Sequence, residues 1–175
     1  MSTHTGNVNA MRISLVPAKQ KAVIEHLMQF YLYDFTQFLD VDVNDEGRFA
    51  PYPDLDDYWI KRETCYPYLI TYHNKPAGFA LVDRMDDPAE ADFYLCEFFV
   101  MKKYRRSGLG TWASYQLFDL LRGRWKVTQI STNTPAQAFW RKTIGAYTGN
   151  RYEELVDPER GNPSQYFSSE INSLH

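Results

Sequence analysis

From Met11 onward the apolar residues recur with two different periods. Arg12 to Val16 alternates polar and apolar positions before Pro17, the period of a half-buried strand. Between Ala18 and Leu39, residues Ile24, Leu27, Met28, Tyr31, Phe35, Phe38 and Leu39 fall at steps of three and four, so one broad apolar face predicts a helix. Phe30 and Tyr33 lie off that stripe, where they suit either a pocket wall or packing beneath a loop. Asp40 to Asp54 reads as loop, with Asn44, Gly47, Pro51 and Pro53. Leu55 to Arg62 predicts a short helix capped by Asp54, with Asp56 and Asp57 in its first turn. Tyr66 to Tyr72 and Ala77 to Val82 predict two strands joined across His73-Asn74-Lys75-Pro76. Asp83 to Glu90 is a second acidic loop.

The next stretch carries the most information. Tyr94 to Val100 is an almost continuous apolar and aromatic run of strand length, with one carboxylate, Glu97, inside it. A basic cluster follows (Lys102, Lys103, Arg105, Arg106), then Ser107, Gly108, Leu109 and Gly110, and then a helical segment from Thr111 to Leu121. Lys126 to Thr132 predicts another strand. Asn133, Thr134 and Pro135 open a further helix, which Ala136 to Thr143 continues and Gly145 ends. Ala146 to Val156 and Gln165 to Ile171 predict a closing pair of strands around the turn-rich DPERGNPS. The order is β-α-α-β-β-β-α-β-α-β-β, an α/β fold with a central mixed sheet flanked by helices. No repeat or composition shift marks a boundary, so residues 11–175 read as one domain behind a loose tail at residues 1–10.

Composition narrows the class. Of 175 residues, 44% are hydrophobic and 16% aromatic, which excludes a disordered chain. The net charge of -3 is too mild for a nucleic-acid binder acting through bulk charge. Local charge is more informative. Asp34 to Asp57 holds eight acids against Arg48, and Lys102 to Lys126 holds seven bases against Asp119. That split fits a protein holding an anion at one place and meeting a cation at another, and it also fits two solvated faces. Cys65 and Cys96 have no metal-site spacing, and with so few cysteines a reduced, cytoplasmic setting is expected. The opening MSTHTGNVNA has no apolar signal region, and no apolar run reaches membrane-spanning length. No histidine shares a metal-ligand or Ser-His-Asp spacing with partners, so no metal is expected.

A buried strand delivering a glycine-rich, cationic turn to a helix start is a physical recipe for holding phosphate. Outward backbone N–H groups bond the oxygens, and glycines let the backbone approach. The bland reading is an ordinary strand-to-helix turn with solvated arginines. Arg105-Arg106-Ser107-Gly108-Leu109-Gly110 resembles R-x-x-G-x-G, the acyl-CoA pyrophosphate loop of the GCN5-related N-acetyltransferase superfamily. Asn133-x-x-Ala136-x-x-Phe139-Trp140-x-Lys142-x-x-Gly145 resembles that superfamily's second CoA motif, and the element order is similar throughout.

The resemblance implies the following roles. Acetyl-CoA is the co-substrate. Arg105, Arg106, Ser107, Gly108, Leu109, Gly110 and Thr111 hold its pyrophosphate, and Phe98, Phe99 and Val100 pair with its pantetheine arm through their backbones. Asn133, Ala136, Trp140 and Lys142 lie along the cofactor from the second motif. The run FFV after an acid is similar to that in polyamine acetyltransferases, which makes Glu97 the expected base for an incoming ammonium. The alternative is that Glu97 anchors a neighbouring backbone or arginine. The tyrosine-rich acidic segment from Tyr31-Leu32-Tyr33-Asp34 through Tyr58-Trp59, with Tyr31 and Asp34 as the expected contacts, falls where the superfamily builds its acceptor site. Aromatics with acids suit an alkylammonium head, and core packing explains the aromatics almost as well.

Trp140 departs from the pattern. Many members carry a tyrosine there that protonates the departing thiolate, and an indole N–H cannot. Tyr104, Tyr147 or solvent must serve, or activity is lost. The expected activity is acetyl transfer to a primary amine of a small cationic molecule. A protein or peptide amine and a non-catalytic acyl-CoA-binding module are the alternatives. No nucleic-acid or membrane partner is expected, and a homodimer is one arrangement to test.

Overall fold

A computed structural model describes residues 10–170. Residues 1–9 of the expected tail and Ile171 of the expected last strand lie outside the described residues. The elements follow the expected order: β1 (Met11–Leu15), α1 (Lys21–Phe35), α2 (Asp57–Ile60), β2 (Cys65–Tyr72), β3 (Lys75–Arg84), β4 (Phe93–Val100), α3 (Leu109–Leu120), β5 (Arg124–Thr128), α4 (Thr134–Thr148), β6 (Glu153–Val156) and β7 (Pro163–Ser168). The strands hydrogen-bond in the order β1-β2-β3-β4-β5-β7-β6, a mixed sheet of the expected α/β class. By internal packing the chain divides into two compact units, with β3 and β4 running through both. One contains the residues up to Leu81 together with Glu97–Gly110; the other contains Val82–Cys96 and the residues from Thr111 on.

In the first unit β1 and β2 pair antiparallel, from Met11 opposite Tyr72 to Leu15 opposite Tyr68. The hairpin into β3 turns at His73 and Asn74, with φ of 48° and 61°, the left-handed pair whose twist matches the flanking strands. Helix α1 buries Ile24, Leu27, Met28 and Tyr31, the stripe that the spacing of apolar residues predicts. It ends at Phe35 rather than Leu39. The Thr36 hydroxyl returns to the Tyr33 carbonyl and the Gln37 amide to that of Asp34, so local side-chain bonds replace the next helical turn. Phe30 and Tyr33 point to solvent instead of lining a pocket. Helix α2 has four residues, and Asp54 does not cap it: its φ of 55° is left-handed, and Asp56 occupies the cap without a side-chain bond.

In the second unit β4 pairs parallel with β5 over Phe93–Leu95, and β5 and β6 each pair antiparallel with β7. Trp125 is fully buried, with Phe118 edge-on at 5.0 Å and its indole N–H donating to the Leu121 carbonyl at 3.0 Å. Strand β5 stops at Thr128, before the expected Thr132, because the chain turns there to start α4. Asn133 caps α4 by accepting from the Ala136 N–H at 3.1 Å, with Pro135 in the first turn as expected. The helix does not end at Gly145. A Cβ there would lie 2.8 Å from Asn150 Oδ1, so this glycine makes room for the returning chain, and the left-handed Gly149 (φ 63°) ends the helix. Residues 146–148 are therefore helical rather than part of a strand. Among the described residues no helix is long and apolar enough to cross a membrane.

Candidate active site

The turn after β4 has the backbone of an anion cradle. Lys102–Tyr104 forms a single 3-10 turn, and Arg106 and Gly108 then adopt left-handed φ of 61° and 84°. The Ser107 hydroxyl donates to the Tyr104 carbonyl at 2.6 Å and accepts from the Leu109 N–H at 3.4 Å, bracing the turn into the start of α3. A Cβ built on Gly108 would meet nothing within 4 Å, so the site is open above it. Glycine serves here for its left-handed backbone rather than to relieve crowding, and the open space leaves room for a close approach. The anchor at the other end is Leu109, which is fully buried.

Arg105 is committed to the protein. Its Nε donates to the Val100 carbonyl at 2.7 Å and its Nη2 donates to Asp34 Oδ2. Lys102 Nζ lies 3.4 Å from the other Asp34 oxygen. Asp34, expected among acceptor contacts, is thus an ionic brace between the C-terminal turn of α1 and the segment following β4. Arg106 is exposed.

The strand itself shows which backbone edge is available. A Cβ on Gly78 would come within 2.0 Å of the Phe99 carbonyl oxygen, and the Met101 N–H donates to the Ala77 carbonyl at 2.8 Å. Phe99 and Met101 therefore turn their backbone groups to β3, and alternation directs those of Phe98 and Val100 to the opposite edge. The Phe99 ring packs with Tyr31 and Phe79 at 5.7 and 5.8 Å.

Glu97 stands on β4 with both carboxylate oxygens bonded. Tyr31, from α1, donates to Oε2, and Tyr52, from the loop before α2, donates to Oε1 at 2.8 Å. Burial pushes the carboxyl above its ordinary value, and the two tyrosine hydroxyls pull it partly back. A carboxylate raised in this way is a better proton acceptor than an ordinary one. Neither neighbouring-backbone nor arginine anchoring is what Glu97 does; its partners are phenols.

The sequence places Tyr52 within the acceptor segment but does not single it out, and it gives no sign of the residue that seats its loop. Gln29 on α1 clamps the Phe49 backbone, accepting from its N–H at 2.9 Å and donating to its carbonyl at 3.2 Å. The one available signal was Pro51 and Pro53, which restrict the backbone on either side of Tyr52. Between α1 and this loop lies a cavity of about 590 Å³ that shares Tyr52 with Glu97. Glu25, Glu46, Asp54, Asp56 and Asp57 line it. Lys21 pairs with Glu25 and Asp56, and Lys61 pairs with Asp57. Among the described residues no group of three or more His, Cys, Asp or Glu side chains is arranged to hold a metal.

In the second unit Thr111 sits in α3 and Asn133, Ala136, Trp140 and Lys142 on or beside α4. Asn133 spends its side-chain oxygen on the helix cap. Trp140 is buried against Phe139, with ring centroids 4.9 Å apart, and Lys142 is exposed. The Tyr147 hydroxyl donates to Asp119 at 2.8 Å, so its proton is already committed to a carboxylate. Tyr104, in the first unit, lies against Tyr72 at 5.8 Å.

The family model described as Acetyltransferase (GNAT) family matches residues 23–146. Among solved structures, an acetyltransferase from Thermus thermophilus superposes with a TM-score of 0.66 at 14% identity, covering 91% of this chain and 97% of that one. An Arabidopsis thaliana protein in complex with the bisubstrate analogue CoA-Ac-MVNAL gives a TM-score of 0.58 at 15% identity, over 91% and 99% of the two chains. RimL, a ribosomal alpha-N-protein acetyltransferase in complex with coenzyme A, gives 0.59 at 11% identity, over 90% and 92%. At such identities these likenesses speak to fold alone. A search of curated proteins found no match. Because the family match spans well over half of the sequence, the chain belongs to the acetyltransferase (GNAT) family and is an acetyl-CoA-dependent N-acetyltransferase.

Proposed function

We propose that the acceptor is a primary amine of a small cationic molecule and that Glu97 is the base that deprotonates it. The observation that carries this reading is Glu97 itself, withdrawn from water, raised by burial, and sharing Tyr52 with an acid-lined cavity. Five lining carboxylates outnumber the lining Arg48 and the two lysines that pair with them, and that excess favours a cation over a neutral or anionic guest.

The fit for coenzyme A rests on the open, left-handed turn at Arg106 and Gly108. The N–H groups of Arg106, Ser107, Gly108, Leu109 and Gly110 would hold the pyrophosphate, aided by the Arg106 guanidinium. Arg105 contributes by fixing the turn. The Phe98 and Val100 backbones would meet the pantetheine arm, while Phe99 supports the strand from its β3 side. Thr111, Asn133, Ala136, Trp140 and Lys142 keep the cofactor contacts that the resemblance implies. Acetyl-CoA supplies an activated acyl thioester.

Glu97 takes a proton from the ammonium, and the freed nitrogen lone pair forms a bond to the thioester carbonyl carbon. The Val100 N–H is suited to stabilise the oxyanion that results. The nitrogen, positively charged once bonded to the carbonyl carbon, releases its second proton to solvent as the C–S bond breaks with its electron pair on sulfur. The thiolate takes a proton from solvent, since Trp140 cannot donate one and Tyr147 is bonded to Asp119.

The test is thiol release over a panel of diamines, polyamines, monoamines and peptides, in wild type and Glu97→Gln. Turnover with cationic small amines and a loss of about 10²- to 10⁴-fold in the variant are expected. Turnover confined to peptides overturns the acceptor class. CoA binding without turnover on any amine overturns the enzymatic assignment of Glu97 and favours a binding module.

A further inference from the structure

We propose that Tyr52, together with Tyr31, is a positioning residue that holds the Glu97 carboxylate in one orientation, one hydroxyl on each oxygen, ready for the acceptor's proton. This rests on the reading of Glu97 as the base. Tyr52 lies in the segment that the resemblance places at the acceptor, but no motif assigns it a role.

The geometry is built rather than incidental. A carboxylate bonded at both oxygens from two different elements cannot rotate without breaking a bond. Both donors trace back to one helix. Tyr31 projects from α1 directly, with its ring set against Phe35 at 4.5 Å and Phe79 at 5.7 Å. Tyr52 comes from a loop that α1 seats three residues earlier, through the two Gln29 bonds to Phe49. The prolines on each side of Tyr52 then restrict where its ring can go. Each carboxylate oxygen retains a second lone-pair direction, so two phenolic donors leave room for the incoming proton.

The groups set against Glu97 are few. Tyr31 faces it from α1 and Tyr52 from the loop, and burial is the remaining influence on its charge. Asp34, one turn after Tyr31 on α1, is compensated by Arg105 and Lys102. Because both phenols stabilise the ionised form, removing one hydroxyl drives the Glu97 carboxyl further upward. Tyr52 also forms part of the acid-lined cavity wall, which links that cavity to the residue bonded to Glu97.

The experiment uses Tyr52→Phe and Tyr31→Phe, which keep the rings and remove only the hydroxyls. Glu97 is titrated directly by NMR of carboxyl-labelled glutamate, its signal assigned by its disappearance in Glu97→Gln. In parallel, kcat/KM for acetyl-CoA with the best amine of the panel is followed against pH. The expected result is an upward move of the Glu97 titration in each Phe variant, with the acid limb of kcat/KM moving upward in step. On that limb the rate falls about tenfold relative to wild type and recovers at high pH. A Glu97 titration unmoved in Tyr52→Phe, or a rate lowered equally at all pH values, overturns the positioning role. Full activity in Glu97→Gln overturns the base reading instead, and the direct titration separates that failure from the first.

Discussion

Gly78 is the most crowded of the first unit's described glycines, and replacing it with alanine tests the register of the strand that carries Glu97. A Cβ at this position would lie 2.0 Å from the Phe99 oxygen, 3.0 Å from the Phe99 carbonyl carbon and 3.1 Å from the Val100 Cα. All three are backbone atoms, so no side chain can swing aside. Ordinary contact begins at 3.4 Å, and β3 and β4 would have to part by about 1.4 Å. Such a gap breaks the neighbouring bond from the Met101 N–H to the Ala77 carbonyl, now 2.8 Å. Overpacking of this kind costs about 1–3 kcal/mol, and a lost backbone bond adds about 1 kcal/mol. The lower chain entropy of alanine returns about 0.5–1 kcal/mol. The net loss is about 2 kcal/mol, which for a chain of this size lowers Tm by about 4–8 °C. Calorimetry or circular dichroism melts of Gly78→Ala measure it, with Gly149→Ala as control. Gly149 has φ of 63° and open space around its Cβ position, so only the left-handed backbone is penalised, by about 1 kcal/mol. A Gly78→Ala melting temperature within about 1 °C of wild type would falsify the close approach of the two strands. Because Phe99 is two residues from Glu97, acetyl transfer is also expected to fall at temperatures where the variant remains folded.

The other predictions address the site. Gly108→Glu is expected to abolish CoA binding, measured by calorimetry, while lowering Tm by only a few degrees, since nothing lies within 4 Å of the new Cβ; retained affinity removes the turn from the cofactor site. Glu97 titrates above its unfolded value, so ionising it in the fold is unfavourable, and stability rises as pH falls through the folded value toward the unfolded one. Glu97→Gln should therefore melt higher than wild type at alkaline pH and lose that advantage at acidic pH; a difference independent of pH contradicts the burial assignment. Arg105→Lys keeps the charge yet cannot bond the Val100 carbonyl and Asp34 together, so CoA affinity is expected to drop about tenfold, as in Arg105→Ala. Full rescue by lysine in a binding titration would show that Arg105 acts by charge alone.

Local pattern determined a great deal about this protein. The apolar stripe of α1, the hairpin at His73-Asn74, the aromatic strand and the cap at Asn133 each depend on residues a few positions apart, so the element order and the glycine turn after β4 were readable in the chain. Boundaries failed where a distant or competing group intervened. Gly145 looks like a helix stop, but it is vacant of side chain because Asn150 folds back onto it. Asp54 looks like a cap, but its backbone is left-handed. The site divides in the same way. The carboxylate on β4 stood out as the one acid in an apolar run. Its partners did not, because Tyr31 and Tyr52 lie 66 and 45 residues away and meet it only when α1 and its loop close over the strand. Asp34 reads as an acceptor contact until the fold brings Arg105, 71 residues away, to its oxygen. Hydrophobic period is a property of neighbouring residues and survives without tertiary context. Which hydroxyl satisfies a buried charge is decided only by the packing that buries it.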